Sequence, residues 1–558
     1  MIKNAGLVVV AATAILVGCD SGDINIQPST TTTNSNNVTQ TGGSANDICA
    51  SRTNTGGQTL TGTVDGNGNC VYSPAFADAG NRITADITFP ALPNGAAHIF
   101  EGSLFIGETF DTDADLAAAG IAQGGDGPTL TVEAGATLAW QTSADFLIIN
   151  RGSQIFAVGR ADAPITFTSV SDVEGTVGPE DVQQWGGIVI NGFGVTNACD
   201  YTGSVAGGDL ATTDCHVDAE GAAGLDESQY GGDNNDDSSG RLEFVVVKHT
   251  GATVGNGDEL NGISFGGVGR NTIVENLEVY STFDDGIEMF GGAVNFTNFV
   301  AVYVRDDSID VDEGYSGTIT NALVIQSESI GNHCIEADGI GSYSSRDQAS
   351  RDNVIAQGIN SRPVIHNLTC IISPTPVQGD FDPGAGWRLR EGIWPVITNS
   401  LVITSFAAAD TGANNDNYCL RIDNPETEAA ATNGDMRISS TLFACEETFR
   451  SPFAETFFNN SGNQAATLTG LTNPTAAADP DLQLLEGAPP FFSTEFATSL
   501  IDGMAPLATA DPSVADMMNP DDPTTTYVGG IALSIPDWTA GWTFGINPDN
   551  RSQPLWFE

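Results

Sequence analysis

The chain reads as an all-β protein whose strands coil into a parallel β-helix, a solenoid with a cap at each end. Three observations predict it. Strand-type runs are short and broken by Gly or Asn, as in Thr131-Val132-Glu133-Ala134-Gly135 and Ile148-Ile149-Asn150-Arg151-Gly152. The runs echo one another: Val132/Ile149, Gly135/Gly152 and Leu138/Ile155 recur 17 residues apart, and isoleucine returns at 263, 287, 309 and 335, in steps of 24, 22 and 26. No amphipathic helix of ten or more residues interrupts the series. Self-similarity at about 20–30 residues, built from strands alone, means coils stacked on coils. An irregular β-sandwich is the competing arrangement.

Each segment follows in order. Residues 1–18 form an export signal, with Lys3 as its positive start and Leu7 to Val17 as eleven largely apolar residues, too few to span a bilayer comfortably. Leu16-Val17-Gly18-Cys19 resembles the bacterial lipobox, which makes Cys19 the expected lipid-attachment residue. Residues 19–47 form a low-complexity tether; the run Pro28-Ser29-Thr30-Thr31-Thr32-Thr33-Asn34 has no apolar period. Residues 48–128 are expected as an N-terminal cap containing a disulfide, 129–450 as the β-helix with acidic loop insertions, and 451–558 as a C-terminal cap. The expected address is the cell envelope, lipid-anchored, at the outer membrane or cell surface in preference to the inner membrane.

Charge excludes one class of partner. The 558 residues carry 71 Asp and Glu against 18 Lys and Arg, a formal charge of −53. Nucleic acid needs a basic footprint, so DNA and RNA are ruled out. Hydrophobic residues make up 40%, too many for a disordered polyanion and enough for a sizeable core. Only Lys3 and Lys248 are lysines, and so acidic a surface suits a saline medium that screens its self-repulsion.

Nine cysteines occur, and setting Cys19 aside leaves an even number in a chain bound for an oxidising space. They fall into neighbouring couples: Cys49–Cys70, Cys199–Cys215, Cys334–Cys370 and Cys419–Cys445. Sequence alone does not fix connectivity, but no Cys-x-x-Cys or Cys/His spacing favours a metal instead.

The repeating isoleucines also place acids. Neighbours in a strand alternate faces, so if Ile287, Ile309 and Ile335 point inward, Glu288, Asp310 and Glu336 point outward. Coils stack about 4.8 Å apart, which turns the three into a column of carboxylates. Asp284, Asp285, Asp306 and Asp307 precede the same strands, and Asp312 and Asp338 extend the ledge. Three readings stay open: a solvated acidic face, a hard-cation site for which Ca²⁺ is the fitting ion, or a catalytic carboxylate pair as in glycoside hydrolysis. The candidate ligands are Asp284, Asp285, Glu288, Asp306, Asp307, Asp310, Asp312 and Glu336, and no residue is assigned a catalytic role. Two acidic runs, Asp111-x-Asp113-x-Asp115 and Asp233-x-Asn235-x-Asp237, open like calcium loops but lack the closing Glu. Gly262-Ile263-Ser264-Phe265-Gly266 matches a nucleophile elbow in letters only, because it lies on a repeat strand. Trp140, Trp185, Trp387 and Trp394 are candidates for stacking on sugars, with burial in the coils as the commoner fate.

Several strings resemble those of secreted bacterial right-handed parallel β-helix lipoproteins with the pectate-lyase-like fold, a family largely without assigned activity. They are Ala163-Pro164-Ile165-Thr166-Phe167-Thr168-Ser169, Trp185-Gly186-Gly187, Asp258-Glu259-Leu260-Asn261-Gly262, Phe283-Asp284-Asp285-Gly286-Ile287-Glu288 and the tail Trp538-Thr539-Ala540-Gly541-Trp542. The resemblance implies a right-handed coil with end caps over residues 90–550 and implies no reaction. Polygalacturonases and pectate lyases share the fold. Asp306-Asp307 is similar to the hydrolase Asp pair, but Gly331-Asn332-His333-Cys334 departs from its Gly-His-Gly, and Arg388-Leu389-Arg390 lacks the expected lysine. For a lyase, Arg388 or Arg390 would be the base. The sequence therefore favours a surface binding or interaction protein, Ca²⁺-dependent and glycan-related, whose partner is a polysaccharide or an envelope protein. A polysaccharide lyase or glycoside hydrolase, and a purely structural envelope component, are the alternatives.

Overall fold

The computed structural model describes residues 48–220, 228–253, 259–373, 384–404, 418–439, 441–445, 447–460, 464–465, 529–531 and 536–556. The leader, the tether and Cys19 lie outside the described residues.

Ten strands stack in chain order into one parallel sheet, among them Ile263–Gly266, Ile287–Phe290, Ile309–Asp312, His333–Asp338, Ala385–Arg390 and Tyr418–Ile422. Between them the chain crosses to a second, larger sheet through Gly240–Lys248, Ile273–Tyr280, Asn295–Val302, Thr318–Ile325 and Val364–Ile372, again parallel. This alternation is the path of an all-β parallel β-helix.

The isoleucine period sets the register. Ile263, Ile287, Ile309 and Ile335 pair one above the next and continue into Trp387 and Leu420, all fully buried between the sheets. Phe265, Met289, Val311, Ala337, Leu389 and Ile422 form a second inward column. In the long strands, Asn276, Asn298 and Asn321 bend the chain with φ of 56°, 61° and 56°. Asn is among the few side chains that enter this left-handed region at low cost. Asn298 Nδ2 donates to Asn276 Oδ1 at 3.0 Å and Asn321 Nδ2 to Asn298 Oδ1 at 3.1 Å, so each bend is tied to the one before it.

All four expected disulfides form, with Cα separations of 5.5, 5.5, 6.1 and 5.6 Å. Cys334–Cys370 joins one sheet to the other through the core, and Cys419–Cys445 ties a strand of the smaller sheet to the residue that follows Leu442–Ala444 of the larger one.

The structure differs from expectation in three places. Parallel stacking starts inside the segment expected to be a cap: Cys70–Tyr72 already pairs with His98–Phe100, and Leu104–Ile106 with Leu147–Ile149. Ahead of them lie two antiparallel pairings, Ser51–Thr53 with Thr59–Thr61 and Thr63–Val64 with Cys70–Tyr72. A ten-residue helix, Gln348–Gln357, interrupts the coils, capped by Asp347 and ended by Gly358. Val354 is the one apolar residue it buries, which leaves no apolar stripe to reveal it. Within the expected C-terminal cap, helix Pro452–Asn460 buries Ala454 and Phe458 against the core. Residues 529–531 and 536–556 instead run along the outer face of the larger sheet, where Gly530 N donates to Thr369 Oγ1 and Trp556 Nε1 to Gln326 O, each at 2.8 Å. An apolar outer strip draws them there, with Trp542, Ile546 and Leu555 covering Val246, Val300 and Leu323. Among the described residues no helix is long and apolar enough to cross a membrane.

Candidate functional site: a carboxylate trench

Register places the predicted acids in one outward column: Ser264, Glu288, Asp310, Glu336, Arg388 and Arg421 pair in sequence along the smaller sheet. A parallel column forms at the turn before these strands. Asp285 N donates to Asn261 Oδ1, Asp307 N to Asp285 Oδ1 at 2.9 Å, and His333 N to Asp307 Oδ1 at 2.7 Å. Each carboxylate thus holds the amide of the next coil, which explains an acid at this turn independently of any ligand.

Between the columns the ligand atoms converge. Asp284, Asp285 and Asp306 form one group, Asp285, Glu288 and Asp310 a second, and Asp307, His333 and Glu336 a third, with the atoms of each group within 4.8 Å of one another. Asp312 joins none of them; its Oδ1 takes the Glu313 amide.

The trench is sunken. Asp285, Glu288 and Asp307 are only 7%, 8% and 4% exposed, which corrects the picture of a freely solvated face. Part of the cover comes from the hairpin Val217–Asp218 and Gln229–Tyr230, seated through Ala219 and Tyr230 against Leu260 and Phe290. It brings in Glu220, whose Oε2 lies 3.3 Å from Asn261 Nδ2, the same group that donates to Glu288 Oε2 at 2.6 Å. Nothing in the sequence spacing marks Glu220 as a member, because it arrives from an insertion outside the coil period.

Burial pushes Asp284, Asp285, Glu288, Asp307 and Asp310 upward. Asp284 rises to about 8, first through burial and then through the charges of Glu220 and Asp306. Asp285 lies well above the carboxylate range through burial and Asp284, and Glu288 through burial and Glu220. Asp307 and Asp310 are raised by burial and then by Glu336. Asp310 Oδ1 is buried and has no hydrogen-bond partner among the described residues.

The far end of the column is different. Glu336 binds Arg388 Nη1 at 2.9 Å and Arg390 Nη2 at 2.6 Å, Asp338 binds Arg390 at 2.8 Å, and Asp423 lies 2.7 Å from Arg421. At the boundary, His333 Nδ1 lies 2.8 Å from Asp307 Oδ1 and its Nε2 2.7 Å from the Tyr418 hydroxyl. All three side chains are buried.

The other motifs resolve into structure. Thr112 caps helix Asp113–Ala119 in the first acidic run, while Asp237 takes the amides of Gly124 and Phe193 and Asn235 that of Val195 in the second. Ser264 Oγ lies 3.0 Å from Asn261 Nδ2, within the column and on a strand. Trp140, Trp185 and Trp387 are wholly buried, and Trp394 is half-buried beneath the Arg362 guanidinium at 4.1 Å. No sugar-stacking strip forms from these four.

Chemically, the trench offers oxygen donors on a rigid frame, with arginines close behind. Hard cations take such donors. Closely spaced carboxylates, one of them neutral, also suit acid–base work. Among known proteins, no curated protein and no solved structure matches the chain. A family model does match, over residues 109–481, and with its coils, register and interior columns the chain belongs to the pectate-lyase-like β-helix domain family.

Proposed function

We propose that the protein is exported, lipid-anchored at Cys19 on the cell envelope, and takes Ca²⁺ into the trench to bind a polysaccharide or an envelope protein. The observation that carries the reading is the buried Asp310 Oδ1, without a hydrogen-bond partner among the described residues and in a group with Asp285 and Glu288. An unpartnered buried carboxylate oxygen is costly, and a cation removes that cost. The donor set is all oxygen at Asp284, Asp285, Glu288, Asp306 and Asp310, the chemistry Ca²⁺ prefers. Bound Ca²⁺ would supply positive charge for an anionic or hydroxyl-rich partner to meet; the chain's own groups hold the ion and shape the face. Asp307 and Glu336 stand at the margin of this set, tied to His333 and to the arginines, and Asp312 stands outside it.

A polysaccharide lyase or glycoside hydrolase is the second reading, favoured by the Arg388 and Arg390 guanidinia beside Glu336. One experiment separates the two. Calorimetric titration of the purified protein with Ca²⁺, alone and with neutral and acidic polysaccharides, is expected to give saturable Ca²⁺ binding that the Asp285→Asn/Asp310→Asn variant loses. New reducing ends or unsaturated products, lost in an Arg390→Ala variant, would move the assignment to an enzyme. Absence of Ca²⁺ binding by the parent protein would remove the cation reading.

A further inference from the structure

We infer that the C-terminal strap, residues 536–556, is a pH-dependent latch on the larger sheet, held through Glu278. The outward column beneath it runs Val246, Glu278, Val300, Leu323 and Thr369, a single carboxyl in an otherwise uncharged strip. Glu278 is fully buried there. Its Oε2 accepts the Phe544 amide of the strap at 2.7 Å, while Oε1 is buried with no hydrogen-bond partner among the described residues.

The charges facing it do not complete it. Lys248, on the neighbouring strand, lies against the same patch, but its Nζ is 2.6 Å from Asp172 and sits 4.2 Å from the centre of the Phe544 ring. Tyr280 on the same strand, His249 packed edge-on to it beside Lys248, Tyr303 on the next strand and Glu180 are further titratable groups around the patch. The strap contributes the amide and ring of Phe544, the latter edge-on to Tyr280 at 4.8 Å. Burial therefore lifts the Glu278 carboxyl well above its ordinary range, against the pull of the Phe544 amide and the Lys248 charge. With the strap lifted, the same carboxyl meets water and returns toward its ordinary value.

The sign follows. A group whose docked pKa is raised contributes its full stabilisation below the undocked value and loses it as pH rises through the docked one. Between those limits the docking equilibrium falls about tenfold per pH unit. The strap is tight in acid and loosens toward alkaline pH, and its release exposes the strip formed by Val246, Val300 and Leu323.

Hydrogen exchange of residues 536–556 in the full-length protein tests this, followed from pH 5 to 9 and corrected for the intrinsic pH dependence of amide exchange. The parent strap is expected to lose protection by at least tenfold across that range while residues 287–338 keep theirs. Glu278→Gln, which keeps the acceptor for Phe544, is expected to hold the strap at every pH. A second variant tests detachment without touching the carboxyl. Gly545 has φ of +82°, and a Cβ there would lie 2.3 Å from Tyr280 Cε2, so Gly545→Ala is expected to loosen the strap at all pH values. A flat profile in the parent, the same slope in Glu278→Gln, or collapse of the 287–338 protection in Gly545→Ala would each overturn the latch.

Discussion

One column of the smaller sheet carries two opposite solutions to the same electrostatic problem. At Glu288 and Asp310 the acids stack against Asp284, Asp285 and Glu220, and burial and mutual repulsion raise their carboxyls above the ordinary range. One coil later, Glu336 and Asp338 lie at the same spacing but are met by Arg388 and Arg390 from the next strand. The backbone is the same in both halves, so the scaffold sets only the spacing. Whether a carboxylate meets an opposite charge or another carboxylate is decided by which side chain the next coil brings.

Removing an arginine is the most severe way to break this contrast. Arg390→Ala leaves Glu336 and Asp338 with less compensation in a mostly buried setting and is expected to cost about 3 kcal/mol in urea unfolding at pH 7. The acid half should respond to a ligand in place of a mutation. Ca²⁺ at a hundred times its dissociation constant is expected to stabilise the protein by about 2.7 kcal/mol, seen as a rise in Tm that Asp285→Asn/Asp310→Asn abolishes. Acidity should act on the same half. Its carboxyls have folded pKa values above their unfolded ones, so their contribution is complete below the ordinary carboxylate range and drains away as pH rises, through about 8 for Asp284. The Tm of the chelator-treated protein is therefore expected to fall between pH 5 and 8, and added Ca²⁺ to flatten that fall. The smallest effect is a gain. Glu288→Gln keeps an oxygen for Asn261 Nδ2 and removes one repelling acid, so the cation-free protein is expected to become about 1 kcal/mol more stable at pH 8.

What was legible in the sequence followed the coil period. Isoleucines at 263, 287, 309 and 335 located the interior, and one residue on from three of them came Glu288, Asp310 and Glu336. Neighbouring cysteines paired as spaced, across sequence separations of 16 to 36 residues. What was not legible lay where an insertion stretched a coil. Arg388 is 52 residues from Glu336 and so looked distant, yet the intervening helix Gln348–Gln357 is looped out and the two residues are adjacent rungs. Glu220 was hidden for the same reason. Burial of the trench was also beyond the pattern, since the acids that suggest water are covered by residues from another stretch of chain. The strap's place was not legible either: the tail was expected as an end cap, but the apolar strip it covers runs along the side of the stack.

The two disulfides that cross the interior carry a mechanical consequence. Pulled from its ends, a tube of stacked coils peels open one turn at a time, because each turn is held mainly by its neighbours. Cys334–Cys370 and Cys419–Cys445 stitch opposite walls together and lock segments of 36 and 26 residues against extension. Under tension, the two locked segments would yield as a staple yields, by breaking a covalent bond, while the strands outside them, Ala385–Arg390 included, unroll.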